Sequence, residues 1–145
     1  MSFRSGRILR AIALLSVGGA VVSSISLYHH YGASASSFCD FGANFNCDMV
    51  NRSIYSAVFG IPVALIGILG YGALLILATL YRAKAKVPLM LLVASLTGLG
   101  FALYLTYVEA FVLAVWCILC LSSLTLIAAI TVLSSVLVAQ RVNKV

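Results

Sequence analysis

The sequence predicts an all-α integral membrane protein, a bundle of four transmembrane helices with one long outer loop. Of its 145 residues, 63% are hydrophobic and only 8% are charged, and the mean hydropathy is +1.18. A soluble domain has about 45 to 50% apolar and about 25% charged residues, so the composition excludes one. Four apolar stretches, at about 9–28, 58–80, 87–107 and 113–139, reach the roughly 20 residues that a spanning helix needs. We therefore predict a single transmembrane domain over 1–145.

The first stretch begins with basic residues, as a secretory signal peptide does. Its apolar run is longer than the core of a signal peptide, which has about 7 to 15 residues, and no convincing cleavage site precedes Tyr28. We interpret 9–28 as a retained helix.

The second, third and fourth helices are separated by a short basic turn at about 81–86 and a tight turn near Glu109. Short connections make these helices antiparallel neighbours. Pro62 and Pro88 fall near the starts of the second and third helices, where a missing amide has little cost. Small residues that allow close helix approach are Gly67, Gly70, Gly72, Ala94, Gly98 and Gly100.

The basic residues predict the orientation in the membrane. Eight of the nine Lys and Arg lie in three segments that share one side if four helices cross: Arg4, Arg7, Arg10, Arg82, Lys84, Lys86, Arg141 and Lys144. By the positive-inside rule that side is cytoplasmic. The acidic residues Asp40, Asp48 and Glu109 then fall outside. Topology thus explains the net charge of +6 without a nucleic-acid partner.

Four cysteines indicate redox chemistry. Cys39 and Cys47 lie in the outer loop, 29–57, and Cys117 and Cys120 form a C-x-x-C pair near the outer end of helix four. All four thiols are then near the extracytoplasmic face, where disulfides form and persist. Two cysteines three apart on a helix can close a strained, easily reduced disulfide. Such a pair in an apolar run indicates a lipid-soluble electron carrier.

The outer loop, 29–57, is long for a helix connection and rich in polar residues, which favours a functional role. We predict a short interfacial helix over about 47–57. A thiol relay needs one accessible pair for an outside partner and a second pair for the terminal acceptor. Cys39 and Cys47 suit the first task, and the flexible residues between them let Cys47 alternate between Cys39 and Cys117.

Position along helix four separates the roles of the C-x-x-C cysteines. The positive helix end lies on the outer side and favours a thiolate at Cys117 by about 0.3 to 1 kcal/mol. Cys120 lies one turn deeper, about 4.5 Å, where an apolar ring can reach its sulfur.

Other interpretations of the cysteines are open. The loop pair can be a plain structural disulfide and the C-x-x-C pair two small buried apolar residues. Four thiolates can hold zinc, although no His or acid accompanies them in the sequence. Either would make the chain a non-catalytic membrane scaffold or a metal-binding protein. A relay that carries reducing power outward would need thiols near the cytoplasmic side, and the sequence has none there.

The same residues resemble the vitamin K epoxide reductase family. The resemblance spans about 9–139, and its motifs are Cys39, Cys47 with Ser53 six residues on, Phe59-Gly60-Ile61-Pro62, Tyr104-Leu105-Thr106-Tyr107 and Cys117-x-x-Cys120. It implies a quinone-linked thiol oxidoreductase whose four helices surround the quinone, whether ubiquinone, menaquinone or vitamin K. Animal members carry Tyr at the position of Leu124, so epoxide chemistry is not carried over.

The resemblance also implies residue roles. Cys120 faces the quinone, Cys117 exchanges with Cys47, and Cys39 and Cys47 exchange with a separate thioredoxin-fold protein of the DsbA type. Ser53 assists by hydrogen bonding near the loop. Quinone-lining positions implied beside Cys120 are Ser56, Phe59, Leu105 and Leu113. The net reaction forms disulfides outside the cytoplasm, and we expect a prokaryotic inner membrane.

Three further polar or aromatic positions have plainer interpretations. His29 and His30 are expected at the membrane interface, Glu109 in a turn, and Trp116 as an interfacial anchor.

Overall fold

The computed structural model describes residues 3–31, 45, 49–50, 52–80 and 83–144. Over these ranges the chain forms four helices, which are α1 (Phe3–Tyr31), α2 (Val63–Thr79), α3 (Val87–Tyr107) and α4 (Ile118–Val142). Three apolar segments of 29, 27 and 25 residues are long enough to span a membrane, and α2, with 17 residues, is a shorter apolar helix. The predicted all-α membrane fold is confirmed, and the chain is an integral membrane protein.

The helices form a bundle in which α1 packs against α2 and α4, and α3 packs against α4 and α2. The core is filled by large aliphatic side chains, of which Ile12, Leu91 and Ile130 have no exposed surface. Because many other large apolar side chains are exposed, the bundle presents the surface that lipid requires.

Two contacts bring the basic segments to one end of this bundle. Ser5 Oγ donates a hydrogen bond to Gln140 Oε1 at 3.1 Å, and Arg141 Nη1 donates to the Ala85 carbonyl at 2.9 Å. The start of α1, the connection before α3 and the end of α4 therefore meet. This is the grouping that the positive-inside argument assumes.

The chain enters α2 through a β-hairpin instead of the predicted helix start at residue 58. Strand β1 (Ala57–Val58) pairs antiparallel with β2 (Ile61–Pro62). The two loop residues, Phe59 and Gly60, have φ values of 53° and 79°, which is the left-handed conformation that tight hairpins require. The proline of β2 then directly precedes α2, where its missing N–H has little cost.

Helix four also begins five residues later than predicted. Residues Val108–Leu113 continue α3 as a π-helical turn, and Ala114 reverses the chain with φ 54° and ψ 26°. Leu113 therefore belongs to the end of the third helical segment, and Cys117 lies immediately before α4. The apolar run is continuous across this reversal, so hydropathy alone places the boundary wrongly.

Much of the predicted outer loop, including Cys39 and Cys47, lies outside the described residues. Helix α1 extends to Tyr31, three residues past its predicted end. Within the predicted interfacial helix, Met49 and Val50 are helical, and Ile54–Ser56 form a 3-10 turn.

Only some of the predicted small residues are needed for close packing. A Cβ on Gly67 would lie 2.7 Å from Ser23 Oγ, whereas Gly70, Gly72 and Gly100 have open space at that position. A Cβ on Gly98 would lie 3.2 Å from the Ile127 side chain. The tightest approach is at Gly19, where a Cβ would overlap the ring of Tyr71.

We expect Gly19→Ala to lower the free energy of unfolding by about 1 to 3 kcal/mol, the usual cost of overpacking, because the Tyr71 ring must move. Gly100→Ala is the matched control, since its Cβ meets nothing within 4 Å and Ala favours a helix. Thermal unfolding in detergent micelles measures both. Equal melting temperatures for the two variants would contradict the packing described here.

Candidate active site

A cavity of about 420 Å³ lies within the bundle, toward the end opposite the basic residues. Its walls come from the later parts of α1 and α3 and the earlier parts of α2 and α4. This volume is within the range of about 300 to 1,000 Å³ that small-molecule sites occupy. Most of the lining is aliphatic, with a few polar groups, so the cavity suits an apolar ligand that carries a small number of hydrogen-bond acceptors.

The two cysteines of the C-x-x-C pair have different surroundings. Cys117 has an extended backbone, with φ −112° and ψ 118°, and caps α4 instead of lying inside it. Its side chain has no exposed surface and packs with Val115 and Leu119. Cys120, in the first turn of α4, is partly exposed and lines the cavity. Both thiols are free. Because Cys117 is buried and Cys120 lines the cavity, only Cys120 is presented to a ligand.

The pKa of Cys117 lies below its ordinary value, chiefly because the Cys120 side chain hydrogen-bonds to its sulfur. Burial and the negative charge of Glu109 act in the opposite direction but are the weaker influences. A lowered pKa makes a thiol both more available as a thiolate and faster to leave from a mixed disulfide. Cys117 therefore has the chemistry of an exchange residue.

Two described residues of the outer loop lie near Cys117. Phe45 forms an isolated parallel β-bridge with Trp116, and Val50 packs in the same apolar cluster as Cys117. These two described loop residues stand on either side of Cys47 in the sequence, although Cys47 itself is outside the described residues. Trp116 is partly buried and pairs with Phe45 through its backbone, and its role as an interfacial anchor stays a prediction.

Glu109 is buried beside the cysteines, in contrast to its predicted place in a turn. The π-helical turn points it inward, and its side chain is 1% exposed. Its Oε2 accepts a hydrogen bond from the Cys117 amide at 3.2 Å, and its carboxyl group interacts with the Cys120 side chain. The prediction that no acid accompanies the C-x-x-C pair is therefore wrong. The sequence did contain a signal for a functional Glu109, because a single acidic residue within an apolar run commonly has a functional role.

Four of the other predicted site residues line the cavity: Ser53, Ser56, Leu105 and Leu113. The fifth, Phe59, is fully exposed at the hairpin tip, because its left-handed backbone turns it away from the bundle.

The two serines stabilise the 3-10 turn at the cavity mouth. Ser53 Oγ donates to the Val50 carbonyl at 2.8 Å, and Ser56 Oγ donates to the Ser53 carbonyl at 2.7 Å. Ser56 Oγ also lies 3.3 Å from Nδ1 of His30, which itself lines the cavity. His29 is buried in the bundle, and the placement of both histidines at the membrane interface stays a prediction.

A second polar pair was not predicted from the sequence. The Tyr71 hydroxyl lies 2.8 Å from Ser123 Oγ and 3.0 Å from the Ser123 carbonyl oxygen, and both residues line the cavity. Polar side chains that face inward from apolar helices are commonly functional in membrane proteins. The inward direction of these two was not evident from the sequence, in which Tyr71 stands between Gly70 and Gly72 and Ser123 follows Ser122.

The sequence profile of the vitamin K epoxide reductase family matches residues 10–135. The chain belongs to this family. The match includes all four helices, the C-x-x-C pair and the cavity that they enclose, and it confirms the resemblance found in the sequence. Vitamin K epoxide reductase family membership implies thiol and quinone oxidoreductase activity, with a quinone as the usual redox ligand.

A zinc site was one alternative for the cysteines. Among the described residues no group of three or more His, Cys, Asp and Glu is arranged to hold a metal ion. The four-thiolate alternative also requires Cys39 and Cys47, which lie outside the described ranges.

The lowered pKa of Cys117 predicts the pH dependence of its alkylation. Removing its hydrogen-bond partner with Cys120→Ala should raise that pKa, so the pH of half-maximal iodoacetamide reaction should move upward. The Cys120→Ala variant and the protein that it is compared with both also carry Cys39→Ala and Cys47→Ala. Mass spectrometry measures the alkylated peptide that contains Cys117. The midpoint is compared because it does not depend on how accessible the thiol is.

The control is Ser122→Ala, whose hydroxyl bonds only to the Ile118 carbonyl on the exposed side of α4 and should leave the midpoint unchanged. A midpoint that moves downward in Cys120→Ala would contradict the assigned cause.

Proposed function

We propose that this protein oxidises a thioredoxin-fold partner and reduces a membrane quinone. Electrons enter at Cys39 and Cys47, pass from Cys47 to Cys117, and leave from Cys120. The observation that carries the proposal is the different placement of the C-x-x-C cysteines. Cys120 lines the cavity, whereas Cys117 is buried beside the loop that carries Cys47.

The cavity fits a quinone. A quinone is an apolar ring with two carbonyl oxygens, and it needs aliphatic walls and a few hydrogen-bond donors. Leu105 and Leu113 would hold the ring, and the Ser56 hydroxyl would turn from the Ser53 carbonyl to donate to one of the oxygens. When bound, a quinone supplies an acceptor for two electrons and two protons. Ubiquinone, menaquinone and vitamin K all satisfy these requirements.

The order of thiol exchange follows from the surroundings of each sulfur. When Cys47 attacks a Cys117–Cys120 disulfide at Cys117, Cys120 is released as a thiolate that faces the cavity and takes up the proton that Cys47 lost. Cys39 then attacks Cys47, and Cys117 leaves readily because its pKa is lowered. The loop pair is thereby oxidised, the C-x-x-C pair is reduced, and both electrons have moved one step toward the cavity.

The Cys117–Cys120 disulfide re-forms when the two sulfurs bond and release two electrons and two protons. The loop disulfide, in turn, oxidises the dithiol of the partner. In this scheme Ser53 and Ser56 position the 3-10 turn between the loop and the cavity, and the partner is a separate DsbA-like protein.

The proposed orientation places the basic end of the bundle in the cytoplasm. Ser5, Gln140, Ala85 and Arg141 join the basic segments at that end. The cavity and the cysteines then lie near the extracytoplasmic face of a prokaryotic inner membrane, where disulfide formation is useful.

Single cysteine substitutions test the proposal. We expect Cys39→Ala, Cys47→Ala, Cys117→Ala and Cys120→Ala each to reduce quinone-dependent oxidation of a reduced thioredoxin-fold protein to the background rate. Ser122→Ala, in the same turn of α4 as Cys120, should retain the wild-type rate. Unchanged turnover in Cys117→Ala or Cys120→Ala would contradict the proposal.

Trapped intermediates test the order of exchange. Cys39→Ala removes the thiol that resolves the Cys47–Cys117 disulfide, and Cys120→Ala removes the thiol that competes with Cys47 for Cys117. Both variants should therefore accumulate the Cys47–Cys117 crosslink, which peptide mass spectrometry without reduction detects. A crosslink from Cys47 to Cys120 in the wild-type protein would contradict the order.

A further inference from the structure

Glu109 is a buried ionisable group that the thiol relay leaves unused. A carboxyl group within a membrane bundle is costly unless it is paired, and such residues commonly mark proton or ligand pathways. Glu109 is 1% exposed, and its Oε1 has no hydrogen-bond partner among the described residues. Packing alone would be better served by an apolar side chain.

The backbone holds the Glu109 carboxyl group between the two cysteines and the cavity. The wider π-helical turn, Val108–Leu113, points the side chain inward, and the Cys117 amide donates to Oε2. The carboxyl group also interacts with Cys120, and both Glu109 and Cys120 line the cavity. Oε1 is thus the carboxylate oxygen that is left to accept a proton.

We propose that Glu109 carries the proton of the Cys120 thiol to the ligand in the cavity. This inference rests on the proposed quinone reduction. In the step, the Cys120 S–H bond breaks and the proton moves to Oε1 of Glu109. The Cys120 sulfur bonds to the Cys117 sulfur, and the electron pair leaves for the quinone. Glu109 then releases its proton into the cavity, toward a quinone oxygen.

The step balances for the whole pair. The thiols of Cys117 and Cys120 lose two protons and two electrons, and one disulfide bond forms. The proton of Cys120 passes through Glu109, and the second proton comes from the Cys117 thiol. Both protons reach the quinone oxygens. Glu109 ends the cycle as the carboxylate with which it began.

The surroundings of Cys120 favour Glu109 for this role. Among the described residues, Cys117 and Glu109 are the titratable groups that act on the Cys120 thiol. His30 on α1, Tyr55 in the 3-10 turn and Tyr71 on α2 line the same cavity. Tyr71 is already bonded to Ser123, and Cys117 is consumed in the disulfide, so the carboxylate is the base best placed for the proton of Cys120.

The test uses Glu109→Gln in the full-length protein. Gln retains an oxygen that accepts from the Cys117 amide but cannot carry a proton at neutral pH. General acid and base groups contribute roughly 10²- to 10⁴-fold to rates, so reduction of ubiquinone-1 by the reduced protein should slow by at least about 10²-fold. Glu109→Asp, which keeps a carboxylate, should retain more of the rate than Glu109→Gln.

Two readouts separate proton transfer from a structural role. Trp116, the single tryptophan, is next to Cys117, and quenching of its fluorescence by ubiquinone-1 measures binding without turnover. Attack of Cys117 on a small aromatic disulfide in the Cys120→Ala background measures thiol exchange without either the quinone or the Cys120 proton. Glu109→Gln should leave quinone binding at the wild-type value and should not slow this attack, because loss of the carboxylate charge removes an influence that raises the pKa of Cys117. The proposal would be overturned if Glu109→Gln lost quinone binding and thiol exchange as well as quinone reduction. It would also be overturned if Glu109→Gln reduced ubiquinone-1 at the wild-type rate.

The wild-type protein provides a test that needs no variant. Its rate of ubiquinone-1 reduction should fall as the pH is lowered, because a protonated Glu109 cannot accept the thiol proton. A rate that does not change with pH would overturn the role of Glu109. A wild-type protein that reduces ubiquinone-1 no faster than Cys120→Ala would instead overturn the proposed function.

Discussion

The hydrogen bond from the Cys117 amide to Oε2 of Glu109 is the interaction on which the site depends. It joins the end of the third helical segment to the residue before α4, across the reversal at Ala114. Because it is fully buried, its loss would leave a carboxylate and an amide unsatisfied within the bundle. The same bond fixes where α4 begins, and thereby which cysteine lies outside the helix and which faces the cavity.

From this arrangement the two sulfurs acquire separate surroundings. Cys117 is enclosed with loop residues and has a lowered pKa, whereas Cys120 opens onto an apolar cavity with few polar groups. One cysteine is therefore suited to exchange with protein thiols and the other to meet a lipid-soluble ligand. A disulfide between Cys117 and Cys120 would connect these two environments over one helical turn.

The sequence predicted the parts of this structure that depend on hydrophobicity and charge. The apolar runs located the four helices, the basic residues grouped their ends, and the spacing of Cys117 and Cys120 placed Cys120 deeper than Cys117. Backbone geometry was not predictable, because a continuous apolar run conceals both the π-helical turn after Tyr107 and the hairpin before α2. For the same reason Glu109 was predicted in a turn, although a lone acid among apolar residues indicated function.

The most direct test mixes the reduced protein, carrying Cys39→Ala and Cys47→Ala, with ubiquinone-1 under anaerobic conditions. Without the loop pair, the C-x-x-C dithiol is the only thiol source of electrons. The decrease in quinone absorbance and the loss of free thiols are measured in the same sample, so that the amounts of reduced quinone and of disulfide can be compared. The account predicts one quinone reduced for each Cys117–Cys120 disulfide formed. Disulfide formation without quinone reduction, or no reaction at all, would contradict it.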